Sequence, residues 1–298
     1  MMNVLISVDK NYLDSALTML FSLRRYVHEE ITVYLLNHSL SAEDIDYSAE
    51  YLRKKCSILL QCINVKNKTI DHMPVVAHFS VEMYYRIFAQ FFLPDSIERV
   101  LWLDADIIVL KDISSFYHQS FDGKKYIVAS DYGVNSFEYW KAHRMKLGLP
   151  DEYEYFNSGV MLMNLKCLRK ETSEETILKA IEAIRDELIL PDQDILNCLY
   201  QEDVKYVDWR VYNFQYGSNR RIDSDELQKI AILHYVSGRK PWKYWNITSD
   251  SKHYWKVRVQ QGFWLEAIDA HWRQIKELTY VYITSVCGVL KSILSCLL

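Results

Sequence analysis

Two aspartates one residue apart lie between apolar runs in residues 100–109, which read V-L-W-L-D-A-D-I-I-V. The first apolar run predicts a buried strand, and open α/β sheets bind ligands at the carboxyl ends of their strands. Asp104 and Asp106, held together and partly out of water, repel each other unless a divalent cation lies between them. The pattern therefore predicts a metal site, with a solvated turn as the alternative.

Three further D-x-D pairs occur in the chain, and none of them ends an apolar strand. The pair that follows Pro191 stands at a predicted helix start, where carboxylates cap the helix and interact favourably with its dipole. The other two fall in a polar helix and in a charged loop. These three pairs are Asp192 and Asp194, Asp44 and Asp46, and Asp223 and Asp225.

A histidine at the end of a late predicted strand is the second candidate ligand. His234 begins the segment H-Y-V-S-G-R-K-P-W. An imidazole and two carboxylates suit Mn²⁺, so we predict that His234 joins Asp104 and Asp106. Arg239 and Lys240 follow on the same loop, within reach of phosphates.

Alternating strand and helix patterns predict an α/β fold with a largely parallel sheet flanked by helices. Only eight glycines occur, with no G-x-G-x-x-G and no Walker motif. A bound diphosphate must therefore be neutralised by a metal and basic side chains. The predicted strands are 4–8, 31–36, 57–60, 100–103, 126–129, 160–163 and 231–235, and the predicted helices are 13–27, one that starts at Ser41, 81–92 and 177–188.

Composition limits the class of protein and its location. The chain has 298 residues, half of them apolar, and a formal charge of −4, which gives no support for a nucleic-acid partner. Its first residues contain no basic region before an apolar stretch, so we expect no signal peptide. The six cysteines form no C-x-x-C pair, and we expect reduced thiols and a cytoplasmic location.

The last part of the chain has a different character, so we predict two domains, 1–250 and 251–298. Aromatic and basic residues alternate in 252–276, and the last twenty residues are mostly apolar. A helix of that length measures roughly 30 Å, enough to cross a bilayer. However, polar side chains recur on one side, which favours an amphipathic helix on an anionic membrane surface. The alternatives are a membrane span and a helix packed on the domain or on a second copy.

Six segments in order resemble glycosyltransferase family 8, and the resemblance covers about residues 3–245. This family contains retaining enzymes of GT-A fold, among them bacterial lipopolysaccharide galactosyl- and glucosyltransferases. The matching segments are S-V-D-K-N-Y at 7–12, Y-Y-R at 84–86, L-W-L-D-A-D at 101–106, F-N-S-G-V-M-L-M-N-L at 156–165, D-Q-D-I-L-N at 192–197 and the segment 234–242.

The resemblance implies a UDP-sugar donor and assigns its nucleotide contacts. Asp9, Asn11 and Tyr12 would hold uracil and ribose, although Tyr12 is also explained as an ordinary helix-start residue. Lys240 would contact the β-phosphate as UDP leaves. The family has a glycine three residues after the histidine, whereas this chain has its glycine one residue later, at Gly238. We expect the loop to differ slightly there and the backbone N–H of Gly238 to contact the phosphate.

The resemblance also implies the metal and sugar contacts. Mn²⁺, or Mg²⁺, would bind the diphosphate on Asp104, Asp106 and His234, with Ala105 in the same donor-binding segment. Arg86 would lie near the donor sugar and the acidic pair, unless it is a surface arginine of an amphipathic helix. The residues placed around the transferred sugar or the acceptor are Asn157, Asp192, Gln193 and Asp131, of which Asp131 is equally explained as a turn carboxylate.

The expected reaction moves glucose or galactose to a hydroxyl of a cell-surface glycan or glycolipid with retention of configuration. Gln193 is a poor nucleophile, so we favour attack by the acceptor on the face that UDP leaves. The alternative is an inactive sugar-binding or lipid-binding protein on the same scaffold. A haloacid-dehalogenase-like phosphatase is disfavoured because Ile107 and Ile108, not Gly-Thr, follow the second aspartate. A nucleotidyltransferase is disfavoured because the chain lacks a basic glycine-rich loop.

Overall fold

The computed structural model describes residues 1–65, 81–216, 224–236, 238, 240–242 and 251–270, and five positions between 272 and 279. The chain divides into two compact units, Met1–His234 and Tyr235–Leu298. The domain boundary that composition suggests at residue 250 stays a prediction.

Two sheets form the first unit within the described residues. Seven strands pair in the order β3-β2-β1-β4-β7-β6-β8, and three pair in the order β5-β10-β9. In the larger sheet only β7 runs antiparallel to its neighbours, which are β4 and β6. The strands are β1 Met2–Ile6, β2 Ile31–Asn37, β3 Ile58–Asn64, β4 Arg99–Leu103, β5 Ile107–Val109, β6 Tyr126–Ser130, β7 Phe156–Asn164, β8 Val204–Val207, β9 Phe214–Gln215 and β10 Ile232–His234.

The helices alternate with these strands, and several begin at capping residues that the sequence supplies. Ser41 caps α2 and forms a capping box with Asp44, as its position predicts. Ser173 caps α8 by accepting a hydrogen bond from the backbone N–H of Thr176. The helices are α1 Leu13–Arg24, α2 Ala42–Cys56, α3 Ala89–Phe92, α4 Ser114–Tyr117, α5 Tyr132–Ser136, α6 Tyr139–Lys146, α7 Leu165–Glu171, α8 Glu174–Ile184, α9 Pro191–Leu199, α10 Trp209–Tyr212, α11 Ser224–Lys229 and α12 Lys252–Gln261.

Side chains on the two faces of the larger sheet fill two separate cores. Val4 and Ile6 of β1 pack with α1 on one face. Leu5 of the same strand and Trp102 of β4 pack on the other face, with residues of α7, α8 and α9. A sheet buried on both faces explains why its strands read as continuous apolar runs. The predicted α/β architecture is confirmed.

The continuous helix predicted over residues 81–92 is wrong. The chain forms a 3₁₀ helix at Val81–Arg86, a turn, and then the short helix α3. Residues 82–90 are all buried, including Tyr84, Tyr85 and Phe88. Because this segment is enclosed on every side, packing outweighs the helix preference that its periodicity indicated.

The second unit contains α12 and further helical residues at 264–270. Gly262 ends α12 with a φ of +101°, a left-handed conformation that glycine adopts without a steric penalty. Among the residues described, no helix is long and apolar enough to span a bilayer. The amphipathic pattern over the last twenty residues lies outside the described residues.

Candidate active site

The acidic pair, with Ala105 between its two members, forms the connection between β4 and β5. Because β4 belongs to the larger sheet and β5 to the smaller one, Asp104, Ala105 and Asp106 lie where the chain passes between the two sheets. The backbone N–H of Asp104 donates to the carbonyl oxygen of Gly159 in β7 at 2.9 Å. The prediction that an apolar strand carries both carboxylates to its carboxyl end is confirmed.

Strand pairing brings His234 to these carboxylates. β10 runs antiparallel to β5, with His234 opposite Ile107, the residue after Asp106. The imidazole Nε2 lies 3.1 Å from Asp106 Oδ1 and 3.8 Å from Asp104 Oδ2. One ligand atom from each residue lies within 4.8 Å of the others. Octahedral coordination at about 2.1 Å separates adjacent ligands by about 3 Å and opposite ones by about 4.2 Å. Both distances from His234 Nε2 fall within that range, so the group could hold one divalent cation.

Gly159 has no side chain, and the imidazole of His234 occupies the space where one would lie. The sequence analysis did not assign this role. A Cβ on Gly159 would lie 2.2 Å from His234 Cε1 and 2.8 Å from Asp104 Oδ2. Real atoms cannot approach so closely, so any side chain here must displace a metal-ligand candidate. A glycine inside an otherwise apolar strand often marks such a close approach, and this was the available signal.

Arg86 is buried between two carboxylates. Its guanidinium lies 2.9 Å from Asp104 Oδ1 and 3.1 Å from Asp192 Oδ2. It also lies over the ring of Trp102, whose indole N–H donates to Asp104 Oδ1 at 2.8 Å. Burial opposes the charged guanidinium, but Asp104 and Asp192 outweigh that effect and raise the pKa of Arg86. The alternative of a surface arginine is wrong, because only 8% of this residue is exposed.

The first turn of α9 carries Asp192 and Gln193, and Asp192 contacts Arg86. Pro191 occupies the first helical position, where its missing N–H costs nothing. Asp194 Oδ2 accepts hydrogen bonds from the backbone of Ile189 and Leu190 and fixes the loop before the helix. Burial raises the pKa of Asp192 above its usual value, although the Arg86 cation opposes that rise.

Ser158 of β7 joins Arg86 to the start of α9, and the sequence analysis gave it no role. Its hydroxyl donates to Asp192 Oδ2 at 2.9 Å, and its backbone N–H donates to Gln193 Oε1 at 3.0 Å. Arg86 donates to its carbonyl oxygen at 3.0 Å. Its place beside a candidate sugar contact in the segment F-N-S-G-V was the only signal for it.

Asp131 caps a helix and also binds two candidate sugar contacts. Oδ1 accepts from the backbone of Val134 at the start of α5, as a turn carboxylate would. Oδ2 accepts from Asn157 Nδ2 at 3.0 Å and from Gln193 Nε2 at 3.1 Å. The structure therefore brings Asp131, Asn157, Asp192 and Gln193 together.

Asp9, Asn11 and Tyr12 lie on the loop from β1 to α1. Asp9 Oδ1 accepts from the backbone N–H groups of Asn11 and Tyr12, which gives the loop a defined turn. β1 and β4 pair in parallel, so this loop leaves the same sheet edge as the acidic pair. Tyr12 is 37% exposed, as a ring that stacks on a base requires.

Lys240 and Gly238 belong to the second unit, and their predicted phosphate contacts stay predictions. The ammonium of Lys240 donates to the carbonyl oxygen of Tyr235 at 2.7 Å, and Gly238 is exposed. Arg239 lies outside the described residues.

A family model described as glycosyl transferase family 8 matches residues 3–246. General stress protein A of Bacillus subtilis is 25% identical over 85% of this chain and 89% of its own length. The lipopolysaccharide 1,2-glucosyltransferase of Escherichia coli K12 is 25% identical over 88% of this chain and 79% of its own length. The lipopolysaccharide 1,3-galactosyltransferase of Salmonella typhimurium is 23% identical, with coverages of 86% and 77%.

Among solved structures, the galactosyltransferase LgtC in complex with donor and acceptor sugar analogues has a similar fold. The TM-score is 0.76 and the identity 24%, over 87% of this chain and 96% of that one. This likeness shows that the described sheets and helices form a GT-A fold.

Gly159→Ala tests whether the close approach of β7 to His234 is needed for metal binding. The added methyl group must push the imidazole or the Asp104 carboxylate away, so we expect Mn²⁺ affinity to fall by about tenfold or more. Titration of the purified protein with Mn²⁺, followed by electron paramagnetic resonance of the free ion, measures this. Equal affinity for Gly159→Ala and wild type would contradict the role.

Proposed function

The chain belongs to glycosyltransferase family 8 and is a glycosyltransferase enzyme, and from that premise we propose that it is a retaining, Mn²⁺-dependent hexosyltransferase. The donor is UDP-glucose or UDP-galactose, and the acceptor is a hydroxyl of a cell-surface glycan or glycolipid. The observation that carries this proposal is the cluster of Asp104, Asp106 and His234 at the sheet edge.

The residues present fit a divalent cation in charge, donor type and spacing. Two carboxylates and an imidazole suit Mn²⁺, and they also accept Mg²⁺. A bound cation would neutralise the diphosphate and favour the departure of UDP. Lys240 is proposed to stabilise the same developing charge from the loop after β10, with the backbone of Gly238 nearby.

The remaining residues of the site are proposed to hold and orient the donor. Asp9, Asn11 and Tyr12 contact uridine from the loop after β1, with Tyr12 as a stacking platform. On the sugar side, Arg86 and Asp192 form a fixed ion pair that donates to and accepts from hydroxyl groups. Asn157 and Asp131 approach the sugar or the acceptor from the ends of β7 and β6.

Retention is proposed to arise from same-face attack by the acceptor hydroxyl, with the leaving phosphate oxygen taking the proton. A double displacement requires a nucleophile beneath the ring, and the residue assigned there is Gln193. Both polar atoms of its amide already bind protein groups, namely Ser158 and Asp131. An amide held in this way is a weaker nucleophile than a free carboxylate.

Similarity to lipopolysaccharide glucosyl- and galactosyltransferases supports a neutral hexose as the transferred sugar. It also supports a bacterial surface glycan as the acceptor. We propose that the enzyme works at the cytoplasmic face of the plasma membrane, where such an acceptor is carried on lipid. The second unit supplies the contact. Among the residues of this unit that the structure describes, the large exposed apolar side chains are Val259, Trp264, Leu265, Ile268, Trp272 and Ile275.

The apolar groove of the second unit, about 380 Å³ in volume, supports this membrane contact. Two tryptophans line it, and tryptophan favours the boundary between lipid and water. Lys256 and Lys276 are exposed on the same segment and complement anionic headgroups.

The inactive sugar-binding alternative is less favoured, because the metal-ligand set is intact.

Asp106→Asn tests the metal-dependent reaction. The substitution removes one anionic ligand, and we expect UDP release with Mn²⁺ to fall by about 100-fold or more, since a catalytic metal contributes several kcal/mol. A panel of UDP-sugars without acceptor, with UDP release as the readout, measures the loss and identifies the donor. Asp46→Asn is the matched control, because Asp46 is an exposed member of another D-x-D pair, on α2. A fully active Asp106→Asn would remove the metal assignment.

The mechanism of retention predicts no covalent sugar on Gln193. We expect the mass of the intact protein to stay unchanged after incubation with the preferred UDP-sugar and Mn²⁺, because no carboxylate replaces this amide. Intact-protein mass spectrometry measures this. An added hexose located on Gln193 would overturn same-face attack.

The double substitution Trp264→Ser and Trp272→Ser tests membrane docking of the full chain. Without these two interfacial rings, we expect the affinity for anionic vesicles, measured by co-sedimentation, to fall at least tenfold. This corresponds to about 1.4 kcal/mol of binding free energy. Tyr139→Ser is the control, because this ring is 70% exposed on the first unit. Unchanged sedimentation of the double variant would reject the docking surface.

A further inference from the structure

Asn213 lies behind the imidazole of His234, on the side away from the acidic pair. Its Oδ1 is 2.9 Å from His234 Nδ1. Asn213 is completely buried and His234 is 3% exposed. It follows α10 directly and precedes β9, the strand that pairs with β10. Its position is therefore fixed by the same small sheet that carries His234.

A chain of hydrogen bonds determines which atom of each amide faces which neighbour. The backbone N–H of Gly159 can only donate, so the atom of Asn157 that lies 2.9 Å away is the oxygen. The carboxylate of Asp131 accepts from the other side of the same amide, which agrees with this orientation. The atom of Asn213 that lies 2.9 Å from Asn157 Oδ1 must then be its nitrogen.

The orientation of Asn213 in turn fixes the proton of His234. With Nδ2 of Asn213 directed at Asn157, its Oδ1 faces the imidazole and accepts a hydrogen bond. Nδ1 of His234 must therefore carry the proton. In a neutral imidazole the other nitrogen, Nε2, then presents its lone pair to Asp104 and Asp106.

This arrangement opposes what the acidic pair alone would favour. Asp106 Oδ1 lies 3.1 Å from Nε2, and a carboxylate at that distance attracts a proton to the nitrogen it faces. A proton on Nε2 blocks the lone pair that a metal requires. Asn213 offers an acceptor on the opposite side of the ring and favours the proton on Nδ1.

We propose that Asn213 is a positioning residue that holds His234 in the Nδ1–H tautomer and so prepares the site for its divalent cation. This inference rests on the proposed metal site of Asp104, Asp106 and His234. Metal-bound histidines commonly donate their second N–H to a fixed acceptor, and loss of that acceptor typically weakens metal binding about 10- to 100-fold.

Two substitutions at this position separate the tautomer from packing. Asn213→Leu removes the acceptor, and we expect Mn²⁺ to bind about 10- to 100-fold more weakly. Asn213→Asp keeps an acceptor for Nδ1–H, so we expect most of the affinity to be retained. Both variants lose the donor to Asn157, and Asn213→Asp also buries a carboxylate oxygen against Asn157 Oδ1, so its thermal midpoint should fall at least as far as that of Asn213→Leu. A role in packing alone predicts equal losses of affinity.

The metal measurement uses the full chain and Mn²⁺, alone and with UDP, with electron paramagnetic resonance of the free ion as the readout. Asn164→Leu is the matched control. The side chain of Asn164 makes two hydrogen bonds with the backbone. Asn164 pairs with Arg99, the first residue of β4, and Asp104 follows the other end of that strand. Equal Mn²⁺ affinity in Asn213→Leu and wild type, or an Asn213→Asp as weak as Asn213→Leu, would overturn the proposal.

The tautomer is measured without metal. Nitrogen-15 spectra of the histidine rings, recorded where the imidazole is neutral, should show the His234 proton on Nδ1 in wild type and a shift toward Nε2 in Asn213→Leu. The signals are assigned by their loss in His234→Gln. A wild-type proton on Nε2 overturns the inference. Failure of wild type to bind Mn²⁺ refutes the proposed metal site, whereas the metal-free spectrum still decides the role of Asn213.

Discussion

The structure of the site depends on the control of negative charge at one sheet edge. Asp104 and Asp192 both contact Arg86, Asp106 lies one residue from Asp104, and the burial of Asp192 makes repulsion among these carboxylates costly. Arg86 offsets part of that charge through a fixed pair of contacts with Asp104 and Asp192. A carboxylate pair that remains partly exposed beside an imidazole then has affinity for a divalent cation. The fold tolerates part of this charge because the guanidinium of Arg86 faces both Asp104 and Asp192.

Strand topology sets where this charge collects. The chain leaves the larger sheet at Leu103 and enters the smaller one at Ile107, so the acidic pair cannot move without disturbing both sheets. β10 returns His234 opposite Ile107, and β7 supplies the carbonyl oxygen of Gly159 to the backbone of Asp104. Backbone pairing therefore fixes where the three candidate ligands stand, and a site on paired strands is more rigid than one on loops.

Much of this site could be predicted from the sequence because strand ends carry a visible signal. Asp104 and Asp106 follow one apolar run and His234 ends another, and both patterns mark strand ends. That the two ends meet depends on the antiparallel pairing of β10 with β5. Gly159 and Asn213 gave no comparable signal, because their roles depend on register between segments far apart in the chain. The helix predicted at 81–92 failed for a related reason. Its apolar residues face a core on all sides, and periodicity cannot reveal full enclosure.

The hydrogen-bond chain behind His234 continues to the residues assigned to the sugar. Asn157 accepts from Asn213 and donates to Asp131, and Asp131 accepts from Gln193. Each amide in this chain has one orientation, because Gly159 and Ser158 anchor it with backbone N–H groups that can only donate. A buried network of this kind is stable only when every member is satisfied. The orientation of the Gln193 amide and that of the Asn213 amide behind His234 are thus consequences of the same constraint.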